Sequence, residues 1–194
     1  MKRLLLAALI TLVAGCSQLA QTPATADRFD PKAAAALQNW SAEGRLGIRM
    51  QRESHSANLD WQQQGDEYRI ALTGPLGQGG LRIEGDSRYV SLRQAGEEKI
   101  HRAATPEALM QQLLGWHLPL SHARYWIRGL ADPGAVSTPL NAPAVGFVQA
   151  GWTVEYLRFA PAAGQLLPEK LRLQHKDLRL TVIINDWEAK AGQD

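Results

Sequence analysis

The chain switches between two hydrophobic periods, and the switches divide it. From Ser41 the period is two. Leu46, Ile48 and Met50 alternate with Arg45, Gly47 and Arg49, and Ala57, Leu59 and Trp61 with Asn58, Asp60 and Gln62. Tyr68, Ile70 and Leu72, then Leu81 and Ile83, then Val90 and Leu92 continue the alternation. Such runs predict half-buried strands with one wet face. The joints at Gln51 to Ser54, Gly65-Asp66 and Gly85-Asp86 are short and polar, which predicts an antiparallel meander.

Near Thr105 the period lengthens. Thr105 suits a helix N-cap, with Pro106 at the first helical position. Leu109 pairs with Leu113 and Met110 with Leu114, and Gly115 would end the helix. A second helix is expected from an N-cap at Ser121, with Leu120 and Tyr125 as a hydrophobic staple. Ala123, Trp126, Ile127 and Leu130 give it an apolar face. A weaker helix is expected over Pro31 to Trp40. The Pro-, Gly- and Ala-rich stretch Ala131 to Gly146 reads as a loop. Period two then returns in Trp152-Val154-Tyr156, Leu171-Leu173 and Leu178 to Ile184. The fold class is mainly β with helices: a curved antiparallel sheet carrying two central helices that can enclose an apolar cavity.

Ahead of this body, Lys2 and Arg3 precede an apolar run from Leu4 to Ala14 that is broken only by Thr11. Its length fits a signal peptide and falls short of the roughly 20 residues that span a bilayer. The run closes on Leu12-Val13-Ala14-Gly15-Cys16, which resembles a bacterial lipobox. Cys16 is the only cysteine, and an exported protein seldom keeps one unpaired thiol. The expected organisation is a signal peptide over 1–15, a lipidated flexible tether over 16–30 and a single domain over 31–194. Cys16 would carry a covalent N-acyl and S-diacylglycerol anchor. Several acyl chains at about 0.8 kcal/mol per buried methylene hold a protein to a membrane where one chain does not. Ser17 follows the cysteine where Asp often retains a lipoprotein at the inner membrane, so the expected address is the outer membrane.

Charge and motif content remove several function classes. Lys plus Arg number 21 and Asp plus Glu 19. Without Lys2 and Arg3 the two are equal, so no basic footprint for nucleic acid is expected. The sequence holds no HExxH, P-loop, GxGxxG or GxSxG. His55, His101, His117, His122 and His175 fall at no ligand spacing and read as surface or core residues. Glu97-Glu98 reads as a solvated turn or strand end, not as a glycosidase pair. No catalytic residue, metal or cofactor is assigned.

Two features remain. Six tryptophans either pack the core or line a cavity for a large apolar ligand. The loop Thr73 to Gly80 holds Pro75 at a position suited to i+1 of a tight turn, glycines around it, and Leu76 as its one large apolar residue. Leu76 either folds back on the sheet edge or stands out as an apolar probe for lipid or a partner.

Several segments together resemble the LolB family of outer-membrane lipoprotein receptors. They are Trp61-Gln62-Gln63, Tyr68 through Gly77, Leu118-Pro119-Leu120, Tyr125 through Leu130, and Asn185-Asp186-Trp187. They run in order over about Trp40 to Trp187 and accompany the lipobox. Gly74 and the Ala142 to Ala163 region depart from the pattern. The resemblance implies an open antiparallel β-barrel with a helical lid over a hydrophobic cavity. It implies a monomer facing the periplasm that accepts acylated lipoprotein cargo from the soluble carrier LolA and places it among outer-membrane lipids. It assigns membrane insertion to the loop Pro75, Leu76 and Gly77, and it points to Trp61, Trp126, Trp152 and Trp187 as the acyl-cavity aromatics. The alternative is an outer-membrane lipoprotein that binds free lipid or scaffolds envelope assembly.

Overall fold

Alternating burial builds one sheet. The computed structural model describes residues 28–77, 79–114 and 119–189; the lipobox, Cys16, Gly115, Trp116 and Leu118 lie outside the described residues. The N-terminal strands are β1 (Asn39–Met50), β2 (Glu53–Gln64), β3 (Glu67–Thr73), β4 (Leu81–Gly85), β5 (Val90–Gln94) and β6 (Ile100–Ala103). The C-terminal ones are β7 (Ser137–Pro139), β8 (Gly146–Gln149), β9 (Trp152–Ala162), β10 (Gln165–His175) and β11 (Leu178–Ala189). Each set is an antiparallel meander, and the two join where β1 pairs with β11. The order is β6-β5-β4-β3-β2-β1-β11-β10-β9-β8-β7, so β6 and β7 are free edges and the barrel stays open.

The seam between the meanders is specific. β1 and β11 pair from Trp40 opposite Ala189 to Met50 opposite Leu178, with a register shift at Glu43/Gly44. At that shift a Cβ on Gly44 would lie 1.9 Å from the Ile183 carbonyl oxygen, so only glycine fits. Beside it Trp40 is buried between Trp61 and Trp187, at ring separations of 5.4 and 5.3 Å. That packing places Trp40 in β1, and the expected N-terminal helix stops early. The helix α1 covers only Pro31–Ala36, capped by the Asp30 carboxylate, which accepts from the Lys32 N–H at 2.9 Å.

Two helices lie across the concave face. In α2 (Pro106–Leu114) the Thr105 hydroxyl accepts from the Ala108 N–H at 3.2 Å, the bond expected of an N-cap. The second begins earlier than its sequence suggests: α3 spans Leu120–Trp126, with Pro119 at the cap position and no side-chain cap bond. Ser121 is already helical. Its hydroxyl donates to Glu107 Oε1 at 2.7 Å and its N–H to the same oxygen at 3.1 Å, tying the start of α3 to the start of α2. Leu120 is the first helical residue and so does not hold the position before the cap that a staple with Tyr125 requires. Gly129, at φ +92°, turns the chain out of α3, and the Leu130 N–H reaches back to the Tyr125 carbonyl at 3.1 Å.

The stretch 131–146 is not all loop. It contains β7, and Gly146 opens β8. All three residues of β7 are exposed, so no apolar period marks it. Pro139 is tolerated there because β7 is an edge strand. The strand β6 likewise has no signature in the apolar pattern: it is four residues long with no fully buried side chain.

Candidate functional site: an apolar cavity beneath the helices

Inward residues of six strands and the undersides of α2 and α3 enclose a cavity of about 310 Å³. Ile70, Ile83, Leu171 and Val182 line its sheet side, and Met110, Leu120, Ala123 and Ile127 its helical side. Trp61 reaches it from β2 and Trp126 from α3. At one end lie Met50, 39% exposed, and His55, whose side chain is 66% exposed. His55 is the one titratable group of the lining among the described residues. Trp61 lies six residues from His55, roughly 20 Å along the strand, and is backed by the buried Trp40. The cavity is thus an apolar slot with a wet mouth and an aromatic floor. It offers surface for hydrocarbon and no acid–base pair.

The four tryptophans singled out by sequence have separated roles. Trp61 and Trp126 line the cavity; Trp152 and Trp187 lie outside it. Trp187 packs on Trp40 and donates from Nε1 to the Pro168 carbonyl at 3.0 Å. Trp152 is fully buried between Trp126 and the stacked imidazole of His175. Both are buried, Trp152 in phase with its strand and Trp187 through the register shift of β11, and burial alone does not distinguish packing from lining a cavity.

The lid is held mainly at one end, by polar groups that periodicity does not mark. Trp126 Nε1 donates to Gln149 Oε1 at 2.8 Å, and the Tyr156 hydroxyl donates to the Trp126 carbonyl at 2.9 Å. Burial pushes the Tyr156 phenol well above its ordinary pKa, so it stays a donor. Arg128, 5% exposed, donates to the carbonyls of Ala34, Leu37 and Arg124 at 3.2, 2.7 and 3.0 Å and lies over the Tyr125 ring. Burial lowers its pKa, yet arginine remains charged, and its donors are spent on three otherwise open carbonyls. His122 Nδ1 meets the Asp132 carboxylate beside this cluster.

The loop from Gly74 to Gly80 closes the β3–β4 connection. Its residues Pro75–Gly77 form a 3₁₀ turn, with the Gly77 N–H donating to the Gly74 carbonyl at 3.1 Å and Pro75 at i+1. The backbone of Leu76 is therefore at the turn tip. Antiparallel register puts this loop at the same rim as the β1–β2 turn, the rim of Met50 and His55 at the cavity mouth. No helix among the described residues is long and apolar enough to cross a membrane.

A family model for outer membrane lipoprotein LolB matches residues 38–187, which hold the sheet seam up to Trp187, the lid and the loop. The chain belongs to the LolB family. The outer-membrane lipoprotein LolB of Stutzerimonas stutzeri is 38% identical over 200 residues, covering 98% of this chain and 97% of that protein. That of Pseudomonas paraeruginosa is 39% identical over 199 residues, covering 97% of each. Among solved structures, a domain from Vibrio parahaemolyticus described as an outer membrane lipoprotein-sorting protein aligns with a TM-score of 0.55 at 8% identity. It covers 84% of this chain and 91% of that one. That likeness is one of fold: the open antiparallel sheet under a helical lid. As a LolB-family member, the protein is placed in lipoprotein localisation at the outer membrane.

Proposed function

We propose that this protein takes acylated lipoproteins from the periplasmic carrier LolA and inserts them into the inner leaflet of the outer membrane, without covalent chemistry. The apolar cavity with its mouth beside the Pro75–Gly77 loop is the observation that carries this reading. Family membership supports it. In the same reading residues 1–15 are a signal peptide. Cys16 carries the acyl anchor, residues 16–30 tether the body, and the protein works as a monomer facing the periplasm.

The physics of the handoff follows from hydrocarbon in water. Each methylene left exposed costs about 0.8 kcal/mol, so escape of acyl chains through bulk water is slow. Apposed cavity mouths avoid that route. Net transfer then needs only a small preference, since about 1.4 kcal/mol is a factor of ten. A cavity of about 310 Å³ is at the bottom of the usual range of roughly 300–1,000 Å³ for ligand sites. Taking in several acyl chains therefore requires the lid to lift. Trp126, Tyr156 and Arg128 hold the C-terminal end of α3, so α2 and the start of α3, joined by Glu107 and Ser121, swing together. Cargo then leaves downhill into the bilayer, with Leu76 bringing the mouth to the lipid surface.

Incubation with LolA loaded with a lipidated substrate, in the absence of nucleotide, tests the reading. The substrate is expected to move to this protein. A substrate that stays on folded, loaded carrier refutes the receptor function.

A further inference from the structure

Three arginines gather on the outer face of the N-terminal meander. Arg82 on β4 and Arg93 on β5 are direct cross-strand partners. Arg102 on β6 pairs with Ser91 and is diagonal to Arg93. Side chains placed so have Cβ atoms about 5 Å apart when opposite and about 7–8 Å when diagonal. All three residues are exposed, and none has an ion-pair partner among the described residues. The neighbouring carboxylate on this face, Glu84, is held by Arg69 at 2.9 Å. In the β5–β6 turn, Glu97 faces His101 at 3.9 Å and Glu98 is followed by Lys99.

Like charges set directly opposite destabilise a sheet, so the Arg82–Arg93 register needs a reason. Protection of a free edge explains charge on β6 but not on the interior strands β4 and β5. The three arginines border a recess of about 340 Å³ with Tyr89, Ser91 and Glu84, whose carboxylate is the one paired with Arg69. A second recess, also about 340 Å³, is lined by Arg82 and Arg93 together with Gly79 and Gly80 at the base of the loop carrying Leu76. The positive patch is continuous with that loop.

We propose that Arg82, Arg93 and Arg102 form a docking surface for the phosphate groups of an anionic phospholipid bilayer, which seats the β4–β6 face on the membrane as the Pro75–Gly77 loop engages it. The proposal rests on the reading of that loop as the membrane-facing element. Guanidinium groups bind phosphate oxygens bidentately, and three of them on an open face match several headgroups better than one enclosed ion. The attraction acts within about 8 Å at physiological salt, so it operates only once the loop has brought the face to the surface. Apolar insertion of the loop is independent of lipid charge, so the two contributions separate by experiment.

The test uses residues 16–194 with Cys16→Ser, which retain every described element, so that the anchor does not dominate binding. Co-sedimentation is measured with phosphatidylcholine vesicles and with vesicles of phosphatidylcholine mixed with phosphatidylglycerol. The parent is expected to prefer the anionic vesicles. Each basic residue near such a surface contributes about fivefold, so Arg82→Gln/Arg93→Gln should reduce anionic binding at least tenfold and leave neutral binding unchanged. Arg45→Gln/Arg88→Gln, equal in charge but away from the patch, should keep the preference. The proposal is overturned if the patch variant keeps it, or if both double variants lose it equally. It is also overturned if inorganic phosphate at matched ionic strength abolishes binding, which would make this a small-anion site. A patch variant that binds vesicles normally but loses uptake from loaded carrier would assign the face to a protein partner instead. Leu76→Glu should weaken binding to both kinds of vesicle; unchanged neutral binding would refute the loop reading without touching the arginine comparison.

Discussion

The Gln149 side chain bridges the lid and the edge of the sheet: its Oε1 accepts from Trp126 Nε1 and from the Asp132 N–H, both at 2.8 Å. Its Nε2 donates to the carbonyls of Asp132 at 2.9 Å and Ala135 at 2.8 Å. At 1% exposure this amide has no water to fall back on, and it is the pivot that lets one end of the lid stay fixed.

Gln149→Leu should therefore leave a buried indole N–H and backbone groups unpaired. The expected loss is about 2–4 kcal/mol of unfolding free energy, because orphaned buried donors cost roughly 1–3 kcal/mol each and part of that cost relaxes. Urea unfolding monitored by tryptophan fluorescence measures it.

Two leucines on β10 provide an internal comparison. Leu167 and Leu171 are 0% and 1% exposed, but only Leu171 borders the cavity. Truncation costs depend on the packing lost and the void created, over about 2–5 kcal/mol for Leu→Ala. Leu167→Ala should lie near the top of that range. Leu171→Ala should lie near the bottom, because one side of Leu171 already faces open space. Equal losses in urea denaturation would argue that the cavity is filled in solution.

Tyr156 sets an alkaline limit. Its folded pKa is raised by burial above the ordinary 10.0. Tyr68 is raised too, first by burial and then by Glu107 and Asp86. A raised folded pKa gives stability that is complete below the unfolded pKa and declines as pH rises above it. Tyr156→Phe should cost about 1 kcal/mol at pH 7, through the lost bond to the Trp126 carbonyl. Above pH 10 the parent should lose up to about 1.36 kcal/mol per pH unit more than the variant. The two stabilities then converge within about one unit. Parallel curves would contradict the buried-phenol account.

Leu76→Glu should uncouple receipt from delivery. The Pro75–Gly77 turn lies on the β3–β4 connection, outside the helices that form the lid, so cargo uptake is expected to stay intact. Release into vesicles should fall about tenfold or more, the equivalent of 1.4 kcal/mol. A transfer assay with loaded carrier on one side and liposomes on the other resolves the two steps.

Sequence and structure agree where one face of an element is buried and the other wet. Leu59-Trp61, Ile70-Leu72 and Trp152-Val154 show their strands by alternation, and Thr105-Pro106 shows a helix start by cap chemistry. Strand β7 carries no buried residue, so nothing in its apolar pattern could reveal it. Four alanines before Trp40 favour a helix, and only its tertiary contacts with Trp61 and Trp187 place it in a strand. Ser121 has the chemistry of a cap, but its hydroxyl is taken by Glu107, fourteen residues away. Gln149 and Arg128 were invisible because their role depends on partners distant in sequence. Trp61 follows the inward alternation of β2, whereas Trp187 is turned inward by the extra residue at the β1–β11 register shift, which alternation cannot reveal.

In the proposed handoff, acyl chains occupy the slot beneath α2 and α3. A photo-crosslinking amino acid placed at Ile83, inside the slot, and at Arg69, on the outer face of the neighbouring strand, tests it directly during transfer from loaded carrier. A crosslink from position 83 to the lipid moiety of the cargo is expected, and none from position 69. A crosslink from 69 and not from 83, with transfer still efficient, would place the cargo outside the cavity and contradict the account.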